Sequence, residues 1–388
     1  MRYKKRRMAR FLHSADWHLG RILHGVHLTE DQAWVLQRFV ELAKSSKPDA
    51  ILLSGDLYDR AVPPAEAVEL FSEVLGELVI DLNIPVVAIA GNHDSAERVA
   101  SFASVLARSG LHLSGGVLSE VRPVVVEDAH GPVHIHAIPY AEPVEVRHAL
   151  GLEEPGHEAA MLALTQRILA ADPHPRKVVL AHAFVAGGEE SESERPLSSV
   201  GGAGQVSPSV FDGFSYTALG HLHRPQRVGS ERVQYSGSLL KYSFSESQQP
   251  KGVHLVEMDG AGDVQVESIP LGARRDLRCI EGNLKDLIAH APPEGREDYL
   301  SVCLTDEGSV FDAMGKLRRV YPNVLHLERI ALEAGESKKL SVQALRKASI
   351  QTLFEGFYEE VAGAPISEAQ ARLVEEVLEK ARLEGRSS

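Results

Sequence analysis

Cysteine is scarce in this sequence: the 388 residues include only Cys279 and Cys303. Neither belongs to a Cys-x-x-Cys motif or is spaced with histidines as zinc ligands are. A disulfide scaffold and a cysteine-based structural zinc site are therefore excluded. This cysteine usage is typical of a reducing compartment, so a cytoplasmic protein is expected.

Long apolar runs and an excess of positive charge are also lacking. No apolar run is long enough to cross a bilayer, so no membrane span is expected. Residues 1–8 are basic, but no apolar segment follows them, so no signal peptide is expected either. The formal net charge is −13, which is the wrong sign for holding nucleic acid by overall charge. Any DNA contact must be local, metal-mediated or shared with a partner.

The length and the patterning predict three parts. Short apolar strand patterns alternate with helical patterns over residues 9–270, which predicts an α/β domain. Residues 274–334 alternate strand and helix again and predict a small α+β domain. Residues 340–384 contain two amphipathic helices, the second opening with a candidate capping box at Ser367 and Gln370. Two short helices cannot bury their own apolar faces, so they dock on the body of the chain or on another protein.

One predicted helix in the first domain has more apolar surface than its packing requires. The pattern over residues 65–80 is apolar over a wider stripe than packing against one sheet requires. This stripe indicates either ordinary core packing or a contact with a second subunit. A further helix is predicted over residues 95–108.

Polar side chains follow five predicted strands, at the point where each strand ends. They are Asp16 with His18, Asp56, Asn92 with His93, His182, and His221 with His223. Because ligand groups collect at aligned strand ends in an α/β sheet, these side chains are expected to lie together. Imidazoles mixed with carboxylate and amide oxygens suit borderline divalent ions. The pattern predicts two-metal hydrolysis of a phosphoester, with two ions ~3.5–4 Å apart and one bridging ligand.

The ligands divide into two groups around one bridge. Asp56 is the candidate bridging residue. One site would be completed by Asp16, His18 and a distal histidine. The other would be completed by Asn92, His182 and another histidine.

His93 is the candidate catalytic residue, because it remains unligated beside Asn92. It fits a general acid that protonates the leaving alkoxide, or a donor to the phosphate. Asp59 is expected to accept the other N–H of His93 and to fix its tautomer. Two more histidines, His134 and His136, alternate on a predicted strand and are expected to be structural.

Five motifs of this sequence resemble those of the calcineurin-like metallophosphoesterase superfamily. They are Asp-x-His, Gly-Asp-x-x-Asp, Gly-Asn-His-Asp, a lone histidine after a strand, and Gly-His-x-His. Within this superfamily, the order and spacing from residues 14–20 through 220–225 are similar to those of the bacterial SbcD nuclease subunits. So are residues 193–197, the pair at 201–202, and residues 235–238. The resemblance is detailed over the phosphoesterase domain and covers the small domain and the tail in arrangement only.

This resemblance implies a β-sandwich flanked by helices and a nuclease in DNA end processing and repair. It implies exonuclease action on duplex ends and endonuclease action on single strands and hairpins. One metal is assigned to Asp16, His18, Asp56 and His223. The other is assigned to Asp56, Asn92, His182 and His221, with His93 catalytic. Manganese is the family's usual activating ion, and these ligands also permit Mg²⁺. Archaeal and eukaryotic relatives have a histidine in place of Asp59, so no role is transferred to it from them.

The resemblance also implies partners. It implies a homodimer, whose contact would fall on residues 65–80 and 95–108. It implies an SbcC-like ATPase, whose coiled coil would dock on the tail helices, and a small domain that faces DNA as a cap. Candidate phosphate contacts are Arg21, Arg224, Arg227 and Lys241, for each of which a solvated side chain is the alternative.

Two other functions compete with a DNA nuclease. A small-molecule phosphodiesterase on the same scaffold would explain the net acidity, but would need neither the extra domain nor the amphipathic tail. A scaffold that keeps the fold for assembly alone would be expected to lack metal ligands, and none is missing.

Overall fold

The computed structural model describes residues 8–117, 121–154, 156–197, 204–306, 310–329, 350–362 and 365–384. The chain divides into two compact units, Met1–Leu277 and Arg278–Ser388. The predicted separation of residues 274–334 from 340–384 remains a prediction, because residues 330–349 lie outside the described ones. The pair Gly201 and Gly202, part of the family resemblance, also lies outside them.

The first unit is built mainly of strands. In chain order they are β1 (Ala9–Ser14), β2 (Ile22–Leu23), β3 (Val26–His27), β4 (Ala50–Ser54), β5 (Val86–Ile89), β6 (Leu111–Ser114), β7 (Val124–Asp128), β8 (Gly131–Ile138), β9 (Lys177–His182), β10 (Phe184–Val185), β11 (Gln205–Val206), β12 (Tyr216–Gly220), β13 (Gln226–Val228), β14 (Ser230–Tyr235), β15 (Gly252–Met258) and β16 (Val264–Pro270). Twelve of these strands form two six-stranded sheets, in the orders β16-β15-β1-β4-β5-β6 and β13-β14-β12-β9-β8-β7.

Both sheets are parallel at their centres. Strands β1, β4, β5 and β6 run parallel in the first sheet, as do β14, β12, β9 and β8 in the second. Every residue of β4, β5, β9 and β12 is buried, as expected for parallel strands covered on both faces. This explains why they read as continuous apolar runs rather than alternating ones.

The two sheets pack against each other through one core. It joins Phe11, Leu52 and Val87 of the first sheet to Ile135 and Leu180 of the second. A second core lies on the other face of the second sheet, where Met161 and Ile168 of a helix pack on it. The predicted α/β sandwich flanked by helices is confirmed.

The helices of the first unit are α1 (Thr29–Ser46), α2 (Ala65–Leu75), α3 (Ala96–Val99), α4 (Ala103–Leu106), α5 (Pro143–Leu150) and α6 (His157–Ala171). The helix predicted over residues 95–108 is wrong as one piece. It breaks between α3 and α4 because Phe102 adopts φ 59°, a left-handed conformation that a continuous helix cannot contain. The helix predicted over residues 65–80 ends at Leu75 and continues as a π-helical turn, Gly76–Asp81.

Strand β17 (Leu277–Gly282) starts at the unit boundary. The second unit also contains strands β18 (Tyr299–Leu304) and β19 (Val324–Arg329) and helices α7 (Leu284–Ala289) and α8 (Ala313–Arg318). Leu300, Val302 and Leu317 are fully buried in its core. The tail forms α9 (Ile350–Ala362) and α10 (Glu368–Glu384). The predicted capping box is confirmed, because the Ser367 N–H donates to Gln370 Oε1 at 3.0 Å and the Gln370 N–H to Ser367 Oγ at 3.4 Å. None of the helices that the structure describes has the length and apolarity to cross a membrane.

Candidate metal centre

Strand ends from both sheets meet at one edge of the sandwich. The Asp16 N–H donates to the Gly55 carbonyl and the His18 N–H to the Asp56 carbonyl, each at 3.0 Å. These bonds hold the loop after β1 against the loop after β4. The other predicted ligands follow β5 and β12, except His182, which is the last residue of β9. We call the seven predicted ligands the strand-end centre. They are Asp16, His18, Asp56, Asn92, His182, His221 and His223.

The backbone at this centre is strained. Asp16, His18, Asp56 and His221 have φ values of 53°, 44°, 49° and 107°. They are four of the nine non-glycine residues with positive φ in the described part of the chain. Such conformations persist only where the surrounding structure enforces them, and they cluster at functional sites.

Two glycines allow the loops to approach this closely. A Cβ on Gly91 would lie 2.2 Å from Asp56 Oδ1 and 2.3 Å from the Asp56 nitrogen. A Cβ on Gly55, which has φ 90°, would lie 2.4 Å from His182 Nδ1. Any side chain at either position would displace a candidate ligand.

One group of ligand atoms comes from Asp16, His18 and His223. One atom from each lies within 4.8 Å of the others. His18 Nε2 lies 3.0 Å from His223 Nε2 and 3.5 Å from Asp56 Oδ2. Two imidazole nitrogens and two carboxylates therefore face one point, as the sequence predicts for the first metal.

A second group surrounds the other side of Asp56. Atoms of Asp16, Asp56 and His182 lie within 4.8 Å of one another. Asn92 Oδ1 lies 2.9 Å from His182 Nε2 and 3.3 Å from His221 Nδ1. Because Asp56 Oδ2 is 3.5 Å from His18 and 3.6 Å from His182, this oxygen lies between the two groups.

The unsatisfied atoms of the centre fit a bound cation. Asp16 Oδ2 and His221 Nε2 are buried and have no hydrogen-bond partner among the described residues. A buried carboxylate oxygen without a donor is costly unless a cation faces it. Burial and the nearby charge of Asp56 raise the pKa of Asp16 well above its usual value. Divalent cations would remove that penalty, because they stabilise both carboxylates in the ionised form.

The histidines are in the protonation state that metal ligands need. Burial lowers the pKa values of His18, His182, His221 and His223, which keeps these imidazoles neutral at pH 7. His182 Nδ1 lies 2.9 Å from the Ser54 carbonyl. The nitrogen must donate there, so the lone pair of His182 is on Nε2, the atom that faces the centre.

A buried polar network stands behind His223, and sequence reasoning missed most of it. His223 Nδ1 lies 2.7 Å from Ser193 Oγ, whose hydroxyl donates to Glu246. Lys251 Nζ lies 2.6 Å from Glu246 Oε2 and donates to the His223 carbonyl at 2.7 Å. Glu194 accepts the His223 N–H at 2.7 Å. Of these residues only Ser193 and Glu194 fall in a segment that the family resemblance includes.

His93 lies beside the centre and contacts Asp59 as expected, but the acceptor atom is not the predicted one. Its Nδ1 is 2.8 Å from the backbone carbonyl of Asp59, not from the carboxylate. That carboxylate accepts from Arg21 at 2.8 Å and lies 3.5 Å from His18 Nδ1. Burial raises the pKa of Asp59, but His18 and Arg21 outweigh it and lower the pKa to about 2. The chain turns at this residue so that its carbonyl, and not its side chain, meets the ring of His93.

Asp94 has no predicted role, but it holds two loops of the centre together. Its carboxylate accepts the N–H groups of Leu57, Tyr58 and Gly91 at 3.0, 2.9 and 2.9 Å. It therefore ties the loop that contains Asp56 to the loop that contains Asn92. The Gly-Asn-His-Asp motif was the available signal, but the motif alone gives no direction for the fourth side chain.

The four candidate DNA contacts differ in their surroundings. Arg21 lies between Asp59 and the ring of Tyr242, 5.5 Å from its centroid, next to the centre. Arg224 and Arg227 form exposed ion pairs, with Glu189 and Glu231 respectively.

Lys241 is held inside the first unit. Its ammonium lies 2.7 Å from the Ser247 carbonyl and 2.8 Å from Asp276 Oδ1. These bonds favour a structural role for Lys241.

Comparison with known proteins places these features in context. A family model described as calcineurin-like phosphoesterase matches residues 9–225. A second, described as the type 5 capsule protein repressor C-terminal domain, matches residues 273–362. The chain is 34% identical over 375 residues to the SbcD subunit of the nuclease SbcCD from Staphylococcus saprophyticus, covering 95% of this chain and 97% of that protein.

Solved structures with low identity also match. Protein TT1561 of Thermus thermophilus is 16% identical with a TM-score of 0.38, and the match covers 67% of this chain and 99% of that one. A dimetal phosphatase from Danio rerio is 13% identical with a TM-score of 0.39, over 67% of this chain and 98% of that one.

Proposed function

The chain belongs to the calcineurin-like phosphoesterases and, among them, to the SbcD nuclease subunits; from that premise we propose the chemistry, the site residues and the partners. The enzyme is a metal-dependent nuclease. The substrate that we propose is DNA, cut at duplex ends as an exonuclease and at single strands and hairpins as an endonuclease. The single observation that supports this chemistry best is the convergence of seven ligand-type side chains, with unsatisfied buried atoms on Asp16 and His221.

We propose the ligand assignment from the two groups around Asp56. Asp16, His18, Asp56 and His223 would hold one ion, and Asp56, Asn92, His182 and His221 the other. The chemistry that such ions supply when bound is Lewis-acid activation of the phosphoester and of the attacking water. Mn²⁺ is the proposed ion because the donor set mixes imidazole with carboxylate and amide oxygen, and Mg²⁺ is the alternative.

His93 is the proposed proton donor. Its Nδ1 donates to the Asp59 carbonyl at 2.8 Å, so Nε2 is the nitrogen available to a substrate. The carbonyl acceptor behind Nδ1 fixes the tautomer and the orientation of the ring. His93 can then deliver a proton from Nε2 to the leaving oxygen as the phosphodiester bond breaks. The backbone N–H of His93 donates to Asp56 Oδ1 at 2.9 Å, which fixes its position relative to the proposed bridging ligand.

The test is cleavage of an end-labelled DNA hairpin and a linear duplex with Mn²⁺. We expect His93→Ala to lose cleavage by about 10²–10⁴-fold, the usual contribution of a general acid, and to keep metal binding. His148→Ala is the matched control, because His148 is exposed on α5, away from the strand ends. Cleavage by wild type and His93→Ala at equal rates would refute the role of His93. No cleavage by wild type, even with an SbcC-type ATPase and ATP, would favour the small-molecule phosphodiesterase.

The partner that we propose for the tail is an SbcC-type ATPase. Helix α9 exposes Leu353, Phe354 and Phe357, and α10 exposes Leu373 and Val377. Apolar side chains at helical spacing on two neighbouring helices suit a coiled coil laid across them. Deletion of residues 340–388 should abolish ATPase binding and leave hydrolysis of a small phosphodiester, bis-p-nitrophenyl phosphate, unchanged. Retained ATPase binding would remove the tail from the interface.

A second copy of this chain is the other proposed partner. Val62, Val68 and Ile80 around α2 are exposed, as are Phe102 and Val105 around α4, with Phe102 exposed by 78%. Exposed large apolar side chains are typical of subunit contacts when they form one patch. We place the homodimer contact there.

The remaining proposals concern DNA and location. Arg21, Arg224 and Arg227 are proposed phosphate contacts, with Arg21 nearest to the strand-end centre. The small domain, residues 274–334, is proposed as the DNA-facing cap; along the chain it follows the nuclease domain, 9–270, and precedes the tail, 340–384. A cytoplasmic location is proposed from the cysteine usage.

A further inference from the structure

Two histidines and an aspartate form a cluster outside the strand-end centre. His134 and His136 project from the same face of β8, two residues apart, and Asp172 follows the last residue of α6. His134 Nδ1 lies 2.7 Å from Asp172 Oδ2, and His136 Nε2 lies 2.8 Å from the same oxygen. One atom from each residue lies within 4.8 Å of the others. Three ligand-type atoms thus converge on one point.

We propose that His134, His136 and Asp172 form a site for a third divalent cation of the zinc class. The site differs from the strand-end centre in position. His134 is paired with Lys177 at the start of β9, whereas His182 is the last residue of that strand. Five residues of extended chain separate the two sites by about 16 Å. An ion here would not take part in hydrolysis at the strand ends.

The carboxylate is already held as a ligand would be. Asp172 Oδ1 accepts the His174 N–H at 2.9 Å, which leaves Oδ2 facing the two rings. Burial raises the pKa of Asp172, but the donors from His174, His134 and His136 outweigh it and lower the pKa to about 2. The carboxylate is therefore ionised at neutral pH. The ring of His174 stacks on that of His134 with centroids 4.2 Å apart, which restricts the rotation of His134.

The imidazole of His136 is in the neutral form that binds metal ions. Burial and the nearby Lys177 lower the pKa of His136 despite the hydrogen bond to Asp172. The Lys177 ammonium is held by the His174 carbonyl at 2.6 Å, so it is a fixed neighbour. When a cation replaces the hydrogen bond to Asp172, the ring proton moves from Nε2 to Nδ1, so the imidazole stays neutral and presents the lone pair of Nε2 to the ion.

The donor set selects the ion. Two imidazole nitrogens and one carboxylate oxygen suit the tetrahedral coordination of Zn²⁺, whereas Mg²⁺ prefers an octahedral shell of oxygen ligands. Tetrahedral ligands ~2.1 Å from zinc lie ~3.4 Å from one another, so the present separations must widen by roughly 0.6 Å. The His134 side chain is 21% exposed and that of Asp172 10%, which gives an ion access from solvent and leaves room for a water as fourth ligand. Such an ion would tie β8 to the end of α6.

The test is the number of zinc ions bound per chain. The full-length protein is stripped with chelator, equilibrated against buffered Zn²⁺ and assayed for metal by mass spectrometry. We expect three ions in wild type and two in Asp172→Asn and in His134→Gln, with nuclease activity in Mn²⁺ unchanged. His148→Gln, which removes an exposed histidine, should retain three.

Equal zinc content in wild type and Asp172→Asn would overturn the proposal and leave a hydrogen-bonded cluster only. Loss of the third ion in His148→Gln would also overturn it, because the ion would then belong to exposed histidines. A second measurement guards against misfolding of the variants. Zinc should raise the thermal midpoint of wild type by several degrees more than that of Asp172→Asn, since both proteins keep the strand-end centre. Equal rises would contradict the site.

Discussion

Replacing Glu246 with glutamine should weaken metal binding without removing a metal ligand. In wild type the Ser193 hydroxyl donates to Glu246, so Ser193 Oγ accepts the N–H of His223 Nδ1. This order of donors leaves the lone pair of His223 on Nε2, the atom that faces the strand-end centre. The tautomer of a metal-binding histidine is commonly fixed in this way by the partner of its other nitrogen.

The structure determines which way a glutamine amide would turn. The Lys251 ammonium lies 2.6 Å from Oε2 of Glu246 and would repel an NH₂ group placed there. The amide oxygen therefore faces Lys251, and the NH₂ group donates to Ser193. The Ser193 hydroxyl must then donate to His223 Nδ1, which moves the ring proton to Nε2 and blocks its lone pair. Loss of such outer-shell partners costs 10–100-fold in metal affinity, or ~1.4–2.7 kcal/mol.

Titration calorimetry of Mn²⁺ into the chelator-stripped protein measures this effect. The free energy of unfolding should also fall by ~3 kcal/mol, since Lys251 loses its buried counter-charge, so the titration is run well below the midpoint. Glu257→Gln is the matched control, because Glu257 pairs with Arg10 on another part of the first unit. Adding Lys251→Met should restore part of the affinity by freeing the amide to turn. Wild-type affinity in Glu246→Gln would refute the reasoning.

Three further predictions concern single residues of the first unit. Gly91→Ala should reduce Mn²⁺ affinity and cleavage together by at least tenfold, because its Cβ would displace the carboxylate of Asp56; unchanged calorimetric affinity would contradict the packing argument. Asp128→Asn should lower stability by ~3 kcal/mol, because Arg176 loses a buried partner 2.5 Å away. Burial raises the pKa of Asp128, but Arg176 outweighs it and lowers the pKa. The stability that this ionised carboxylate contributes is therefore present above about pH 4 and is lost as the pH falls further. In urea unfolding, the free energy of unfolding should therefore differ less between pH 7 and pH 3 in Asp128→Asn than in wild type. Ile80→Glu should convert the proposed homodimer to a monomer in sedimentation velocity, and an unchanged sedimentation coefficient would place the contact elsewhere.

Sequence reasoning reached the strand-end centre because the signal is local. Each ligand follows a short apolar run, and parallel strands bring such positions to one edge whatever the chain does between them. Asp16 and His221 are 205 residues apart, yet the His221 N–H donates to Asp16 Oδ1 at 2.9 Å. Prediction needed only the strand pattern and the residue types.

The parts that could not be predicted depend on tertiary packing. Glu246 ends a 3-10 turn (Phe244–Glu246), and Lys251 precedes β15. Neither belongs to a motif, and only the fold brings them behind His223. The partner of His93 is a backbone carbonyl, which every residue type provides, so no sequence pattern marks it. The break at Phe102 is a single left-handed residue in a sequence whose apolar spacing fits a continuous helix. Each of these features depends on the three-dimensional position or the backbone angles of single residues, which composition and periodicity do not reveal.

Four residues of the strand-end centre have left-handed backbone conformations, so replacing one of them with glycine would lose activity and gain stability. Positive φ at a non-glycine residue costs on the order of 1–3 kcal/mol, and here it occurs at Asp16, His18, Asp56 and His221. A glycine at any of them would relax the backbone and delete a ligand in one mutational step. In a lineage no longer selected for hydrolysis, such substitutions would inactivate the enzyme and raise its free energy of unfolding. Catalytically silent members of this fold are therefore expected to arise easily and to persist as assembly scaffolds.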